Sequence, residues 1–163
     1  MTGPPGARDV GARIICLGQP AAGDDGVGPA VGARLRAGGL PPGVELLEAT
    51  DASQLVELVQ FPGTVVLVDA LLGEPAGRVV TLSPETLAAA ALTPLSSHGL
   101  SAGGALALAR SVAPEAVSPE VLVVGVTIAP PQRYALRLSP EVAAAVPEAV
   151  AAVRALVAGL AGS

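Results

Sequence analysis

The sequence is poor in the residues that build disulfides and metal clusters. Its 163 residues include one cysteine and one histidine. The single Cys16 excludes a disulfide framework within the chain, and it excludes zinc or iron–sulfur sites built from several cysteines. The single His98 excludes a multi-histidine metal site within one chain.

Lysine is absent and aromatic residues are nearly so. The nine basic residues are all arginines, they face 14 acidic residues, and the formal net charge is −5. An acidic chain without a basic run is a poor partner for nucleic acid. The only aromatic residues, Phe61 and Tyr134, cannot form a stacking platform for bases. We therefore expect no nucleic-acid partner.

The rest of the composition indicates one globular domain. Hydrophobic residues make up 51% and charged residues 14% of the chain, which is too apolar for disorder. We expect a flexible lead-in over 1–12, without a secretory signal, followed by a single domain over 13–160. No strongly apolar run of the roughly 20 residues needed to span a bilayer is evident, so we expect no membrane insertion. With the lone cysteine, this favours a cytoplasmic location.

Strand-like and helix-like segments alternate along the chain. Strands are predicted over 13–18, 44–48, 64–69, 77–82 and 120–126, and helices over 26–37, 52–60, 101–113 and 140–160. Ser83-Pro84-Glu85 and Ser139-Pro140-Glu141 are typical helix starts, and Pro147 is expected to kink or break the last helix. The strand over 77–82 is expected to lie antiparallel to its neighbour.

This alternation predicts an α/β fold with three α/β/α layers. We expect a mainly parallel, twisted sheet of about five strands with helices on both faces. In such sheets the functional residues lie beyond the carboxyl ends of the strands. Asp24 and Asp25 follow the first strand, Asp69 ends the third, and His98 lies in a loop before a helix. These side chains are expected to converge on one edge.

Each of these residues also has a plain structural interpretation. Asp24 or Asp25 can cap a helix, Asp69 can be a solvated strand end, and His98 can bind loop backbone. Gly26-x-Gly28 does not have dinucleotide-loop spacing, and two carboxylates before it would repel a pyrophosphate. Taken singly, none of these signals is specific.

Their combination resembles a known family. The matching stretches are Gly18 through Gly28, Val65-Val66-Leu67-Val68-Asp69-Ala70, Ser97-His98-Gly99-Leu100, Val124-Gly125-Val126 and Leu138-Ser139-Pro140-Glu141-Val142. In this order they resemble the hydrogenase maturation proteases, over about 13–157. The resemblance implies an endopeptidase that removes the C-terminal extension of a nickel–iron hydrogenase large-subunit precursor after nickel insertion.

The resemblance also implies site residues. By position, Asp25, Asp69 and His98 would be the catalytic, metal-binding set, and the divalent metal would be nickel supplied with the substrate. Two carboxylates and one imidazole suit a borderline divalent ion, although they do not by themselves select nickel over zinc or manganese. Four further residues are expected to line the substrate cleft: Gln19, Asp24, Glu48 and Thr50.

Two alternatives remain open from the sequence. One is a serine-type hydrolase of small molecules or esters that uses Ser97 or Ser101 with His98, although no G-x-S-x-G elbow is present. The other is a non-catalytic module that binds a metal or the precursor. The second is motivated by loops that depart from the family pattern, with Gln19 where the family usually has Asn and no glycines over 48–53.

Overall fold

The computed structural model describes residues 10–86, 101–130 and 135–160. The strands are β1 (Ala12–Leu17), β2 (Val44–Ala49), β3 (Thr64–Leu72), β4 (Val79–Leu82) and β5 (Glu120–Ile128). The α-helices within these ranges are α1 (Val27–Gly38), α2 (Leu55–Leu58), α3 (Ala102–Val112) and α4 (Pro140–Leu160), and a further helical turn begins at Pro84. Short 3-10 turns at Gly23–Gly26 and Ala52–Gln54 precede α1 and α2.

The strands form one sheet in the order β2-β1-β3-β5-β4. The first four of these are parallel, and β4 pairs antiparallel with β5. The central strands are continuous runs of apolar, mostly β-branched residues, because helices cover both of their faces. The predicted three-layer α/β fold, its mainly parallel sheet and the antiparallel strand are thus confirmed.

A separate hydrophobic core fills the space on each face of the sheet. On one face, Ile14, Val66 and Val124 pack against α1 and α4. On the other, Ile15 and Leu67 pack against α2 and α3. Successive strand residues alternate between the two cores, as the pleat requires. Whether a strand residue has an odd or an even position along its strand, which we call its parity, therefore determines which helical layer its side chain faces.

Strand β3 is longer than predicted, and the expectation that it ends at Asp69 is wrong. It continues to Leu72, because Asp69, Ala70, Leu71 and Leu72 pair in register with Gly125, Val126, Thr127 and Ile128. The apolar run ends at this carboxylate, but the ladder with β5 supplies backbone partners beyond it. Asp69 consequently lies within the sheet.

Helix α4 runs without interruption from Pro140 to Leu160, and the expected break at Pro147 is wrong. Pro147 lies on the exposed side of the helix, as does Ala143, whose carbonyl loses its amide partner. That carbonyl is left open to water, so the loss is tolerated. By length and composition α4 could cross a bilayer. In this fold its stripe of Val142, Val146, Val153 and Val157 is buried against the sheet.

Candidate active site

The loop after β1 folds back on itself and carries both aspartates. Gly18 has a φ of +147°, and a Cβ there would overlap the carbonyl oxygen of Asp25. The amide of Ala22 donates to the carbonyl of Gln19 (3.2 Å), and the amide of Asp25 donates to that of Ala22 (3.3 Å). Only glycine at position 18 lets the loop close this tightly. The loop is therefore a compact turn at the carboxyl end of β1.

Gln19 connects this loop to the Asp25 side chain and to the end of β2. Its backbone amide donates to Asp25 Oδ2 (3.1 Å), and its side-chain Nε2 donates to the carbonyl of Thr50 (3.3 Å). Thr50 directly follows β2, and its amide donates to Gln54 Oε1 (2.8 Å). Three of the predicted site residues, Gln19, Asp25 and Thr50, thus lie together.

Asp69 is the carboxylate on the neighbouring central strand. Its Oδ1 accepts a hydrogen bond from the amide of Ala70 (2.8 Å), which favours the charged form. Burial acts more strongly in the other direction, the negative charge of nearby Asp25 adds to it, and the pKa of Asp69 rises to about 8. At neutral pH the free protein therefore holds a proton on Asp69, which is a pattern typical of functional sites.

Helix α3 approaches the same edge of the sheet from the Asp69 side. Asp69 has the parity of Leu67, so it faces the layer that holds α3. The short segment after α3 lies beside the amino end of β3, where the Ser118 hydroxyl donates to the carbonyl of Gly63 (2.6 Å). Since α3 leads into the amino end of β5, which is parallel to β3, we infer that the N-terminus of α3 at Ala102 lies toward the carboxyl end of the sheet.

The predicted third member, His98, lies outside the described residues, as does Ser97. Ser101, the other serine considered as a nucleophile, caps α3: its side chain accepts a hydrogen bond from the amide of Gly104 (3.0 Å). Within the described ranges, no group of three potential His, Cys, Asp or Glu ligands is assembled. The carboxylate pair of Asp25 and Asp69 is the part of the predicted set that these ranges contain.

Asp24 turns away from its neighbour Asp25. Its Oδ1 accepts from the backbone amide of Ser139 (2.6 Å) and its Oδ2 from the Ser139 hydroxyl (2.9 Å). Of the two roles expected for Asp24, a cap of the first helix or a support of the site, the cap is wrong, since no side chain caps the turn at Gly23–Gly26 or the start of α1. Asp24 instead joins the β1 loop to the start of α4. The sequence predicts Ser139 as a helix start and gives no local signal of this long-range partner.

Glu48 also has a partner outside the predicted cleft. Its Oε1 lies 2.7 Å from Nη1 of Arg36 on α1, and both side chains are about half exposed. Glu48 shares the parity of Leu46, which packs into the α1–α4 layer. The carboxylate therefore faces α1, while Asp69 faces the other side of the sheet.

Two surface cavities lie in different places relative to this edge. A groove of about 370 Å³ adjoins the β1 loop and is lined by Pro20, Gly26, Pro29, Ala30, Leu136, Arg137 and Leu138. A larger one of about 1000 Å³ lies at the opposite, amino end of the sheet, around Phe61 and Pro119.

Cys16 is buried beneath α1, and burial raises the pKa of its thiol to about 12, so it is chemically inert.

The comparison with protein families identifies the chain. Residues 29–155 match the hydrogenase maturation protease family, HycI. The chain belongs to this family. It is also 36% identical to Protein FrxA of Pyrococcus furiosus over 129 residues, which cover 78% of this chain and 91% of that protein. The resemblance stated from the sequence motifs is thereby confirmed, as is the enzyme class of a peptide hydrolase.

Solved structures support the same assignment of the fold. The hydrogenase maturating endopeptidase HybD from E. coli is 21% identical, with a TM-score of 0.77 and coverage of 91% of this chain and 92% of that one. The [NiFe] hydrogenase maturation protease HybD from Thermococcus kodakarensis is 27% identical, with a TM-score of 0.64 and coverage of 89% and 97%. The maturation protease chain thus has the architecture of these endopeptidases over nearly its whole length.

Proposed function

We propose that this maturation endopeptidase removes the C-terminal extension of a nickel–iron hydrogenase large-subunit precursor, and that it does so after recognising the nickel already seated in that precursor. In this proposal Asp25, Asp69 and His98 bind the nickel as part of the substrate. The observation that carries it is the pair of carboxylates, Asp25 and Asp69, held within electrostatic range of each other at the carboxyl edge of the sheet.

The chain around Ser101 supports the inclusion of His98. Ser101 caps α3 at this edge and on the Asp69 side, and it follows His98 by three residues. Three residues of chain span at most about 10 Å, and this short connection to Ser101 supports our proposal that His98 joins the two carboxylates. Two carboxylate oxygens and one imidazole nitrogen suit a borderline divalent ion and leave coordination positions for the precursor's own ligands.

The protonation state of Asp69 makes the site depend on the presence of the metal. Without a cation, burial of Asp69 disfavours its charged form, the negative charge of Asp25 adds to this effect, and Asp69 keeps its proton. A divalent cation removes this penalty, so Asp69 releases its proton when the nickel-bearing precursor docks. The site thereby distinguishes a precursor that carries nickel from one that does not.

The remaining predicted cleft residues take different parts in this proposal. Gln19 and Thr50 line the edge of the sheet where nickel would bind, since Gln19 donates hydrogen bonds to both Asp25 and Thr50. Glu48 forms an ion pair with Arg36 and is assigned no contact with the substrate.

We also place the reaction in the cytoplasm, where an unpaired cysteine such as Cys16 stays reduced.

The proposal is tested by incubating the protein with a large-subunit precursor prepared with and without nickel, and by measuring the precursor mass. We expect loss of a C-terminal fragment from the nickel-loaded precursor only. Asp25→Asn, Asp69→Asn and His98→Ala should each abolish the loss, whereas Glu48→Gln, which removes a carboxylate paired elsewhere, should leave it intact. Tight binding without any mass loss would indicate a non-catalytic module, and labelling of Ser97 by a phosphonate would indicate a serine hydrolase.

A further inference from the structure

A pair of hydrogen bonds joins the loop that carries Asp25 to the helix at the other end of the chain. The Asp24 carboxylate accepts from the backbone amide of Ser139 at 2.6 Å and from its hydroxyl at 2.9 Å. Both residues are partly buried and lie 115 positions apart in the sequence. We call this pair the Asp24–Ser139 clamp.

A second contact lies beside the clamp. Gly23 has a φ of +60°, and a Cβ there would approach the Cβ of Ala135 to 3.1 Å. The β1 loop therefore touches the segment before α4 at two successive positions. The clamp also places a carboxylate at the N-terminus of the 21-residue α4, where the helix dipole favours negative charge.

Helix α4 is a rigid base for this attachment. Val142 and Val146, within two turns of Ser139, are buried in the core that covers the sheet. On the other side of the clamp, Asp25 is the next residue in the chain, and its carboxylate accepts from the Gln19 amide. Asp25 is thus held between two fixed points, the start of α4 and the end of β1.

We propose that Asp24 is a positioning residue: by clamping Ser139 it holds the Asp25 carboxylate in the orientation that reads nickel together with Asp69. This inference rests on the proposed function. In this proposal Asp24 acts through Asp25, since each of its carboxylate oxygens accepts a hydrogen bond from Ser139. Groups that orient a metal ligand in this way typically contribute about 10- to 100-fold to affinity or activity.

Four variants separate positioning from stability. Asp24→Ala removes both hydrogen bonds, and Ser139→Ala removes only the one from the hydroxyl. Asp24→Asn keeps the shape, because its amide can accept from the Ser139 backbone and donate to the hydroxyl oxygen. The matched control is Ser118→Ala, because the Ser118 hydroxyl lies within 2.6 Å and 2.7 Å of the carbonyls of Gly63 and Glu120 at the opposite end of the sheet.

The first measurement is kcat/KM on the nickel-loaded and nickel-free precursor, well below the Tm of each variant. We expect Asp24→Ala to lower kcat/KM on the nickel-loaded precursor by roughly 10- to 100-fold, while the nickel-free precursor stays uncleaved. Asp24→Asn should retain most of the activity, and Ser118→Ala should match the wild type. Equal values of kcat/KM for Asp24→Ala and Ser118→Ala, or a kcat/KM of Asp24→Ala equal to that of the wild type, would overturn the positioning role.

The second measurement does not depend on activity. Hydrogen exchange at the Gln19 amide reports on its bond to Asp25, and we expect it to accelerate in Asp24→Ala but not in Ser118→Ala. Unchanged exchange would overturn the inference even if the variant were less active. A wild-type protein that fails to cleave the precursor would defeat the proposed function, and the clamp would then be judged by this exchange result alone. If Asp24→Ala does not fold, Ser139→Ala and Asp24→Asn supply both comparisons.

Discussion

Asp69 and Asp25 come from different parts of the chain, and the negative charge of Asp25 acts on the Asp69 carboxyl. Burial raises the pKa of Asp69 most, and the charge of Asp25 raises it further, to about 8. Neither effect can exist without the fold, because 43 intervening residues separate the two acids in the sequence. The relationship makes both the stability of the protein and its metal affinity depend on pH.

The first prediction concerns the stability of the metal-free protein. The folded pKa of Asp69 lies above its unfolded value of about 3.9, so its contribution to the free energy of unfolding is fully present below that value. The contribution is lost as the pH rises through about 8. Asp69→Asn keeps an acceptor for the Ala70 amide and removes the charge, so it should raise the Tm at pH 8 by several degrees and change it little at pH 4.

The control for this prediction is another aspartate with the opposite behaviour. Hydrogen bonds from Ser53 hold the pKa of exposed Asp51 below its usual value. Its contribution is present above the unfolded pKa and is lost only in acid. Asp51→Asn should therefore leave the change in Tm between pH 5 and pH 8 as it is in the wild type. Thermal unfolding followed by circular dichroism at these pH values checks both variants, and an unaltered pH profile in Asp69→Asn would contradict the account.

The second prediction concerns Ni²⁺ binding. Nickel competes with protons at its ligands, so affinity should fall as His98 and Asp69 take up protons, and Asp69 does so at a pH of about 8. Calorimetric titration with Ni²⁺ should show tighter binding at pH 8 than at pH 6, with protons released into the buffer. Asp69→Asn should bind more weakly and release fewer protons, whereas Glu48→Gln should match the wild type. An affinity independent of pH would count against both ligands.

The third prediction concerns the packing of α1 on β1. This packing determines the shape of the β1 loop that connects them. A Cβ at Gly28 would overlap the carbonyl oxygen of Leu17, whereas a Cβ at Gly159 on α4 would meet nothing within 4 Å. Gly159→Ala should therefore stabilise the protein by about 0.5–1 kcal/mol through helix propensity. Gly28→Ala should destabilise it despite the same propensity gain. Chemical denaturation measures both free energies, and equal gains would show that the close approach is not required.

Much of the fold follows from local pattern, but the lengths of its elements depend on neighbours. The apolar runs and serine–proline starts indicate the strands and helices, because burial on both faces imposes them residue by residue. The end of β3 depends on Ile128, its partner on β5, and this pairing carries the strand past Asp69 to Leu72. The continuity of α4 depends on which side Pro147 faces, and the sequence of the helix alone does not determine that.

The site divides in the same way. Asp25 and Asp69 are predictable because parallel strands bring their carboxyl ends to one edge. The partners of Asp24 and Glu48 are not, because Ser139 and Arg36 are chosen by the packing of α4 and α1 against the sheet. The sequence shows that each of these positions is a carboxylate, whereas its hydrogen-bond or ion-pair partner is determined by the tertiary structure. His98 lies outside the described residues, and its place beside the two acids stays a prediction.

The account depends most on Asp25, Asp69 and His98 meeting on one ion. A crystal of the protein soaked with Ni²⁺, with anomalous differences recorded at the nickel edge, tests this directly. We expect one strong peak with a carboxylate oxygen of Asp25, a carboxylate oxygen of Asp69 and a ring nitrogen of His98 each about 2.0–2.2 Å away. A nickel peak bound elsewhere, or one bound by the two acids with His98 turned away, would contradict the account.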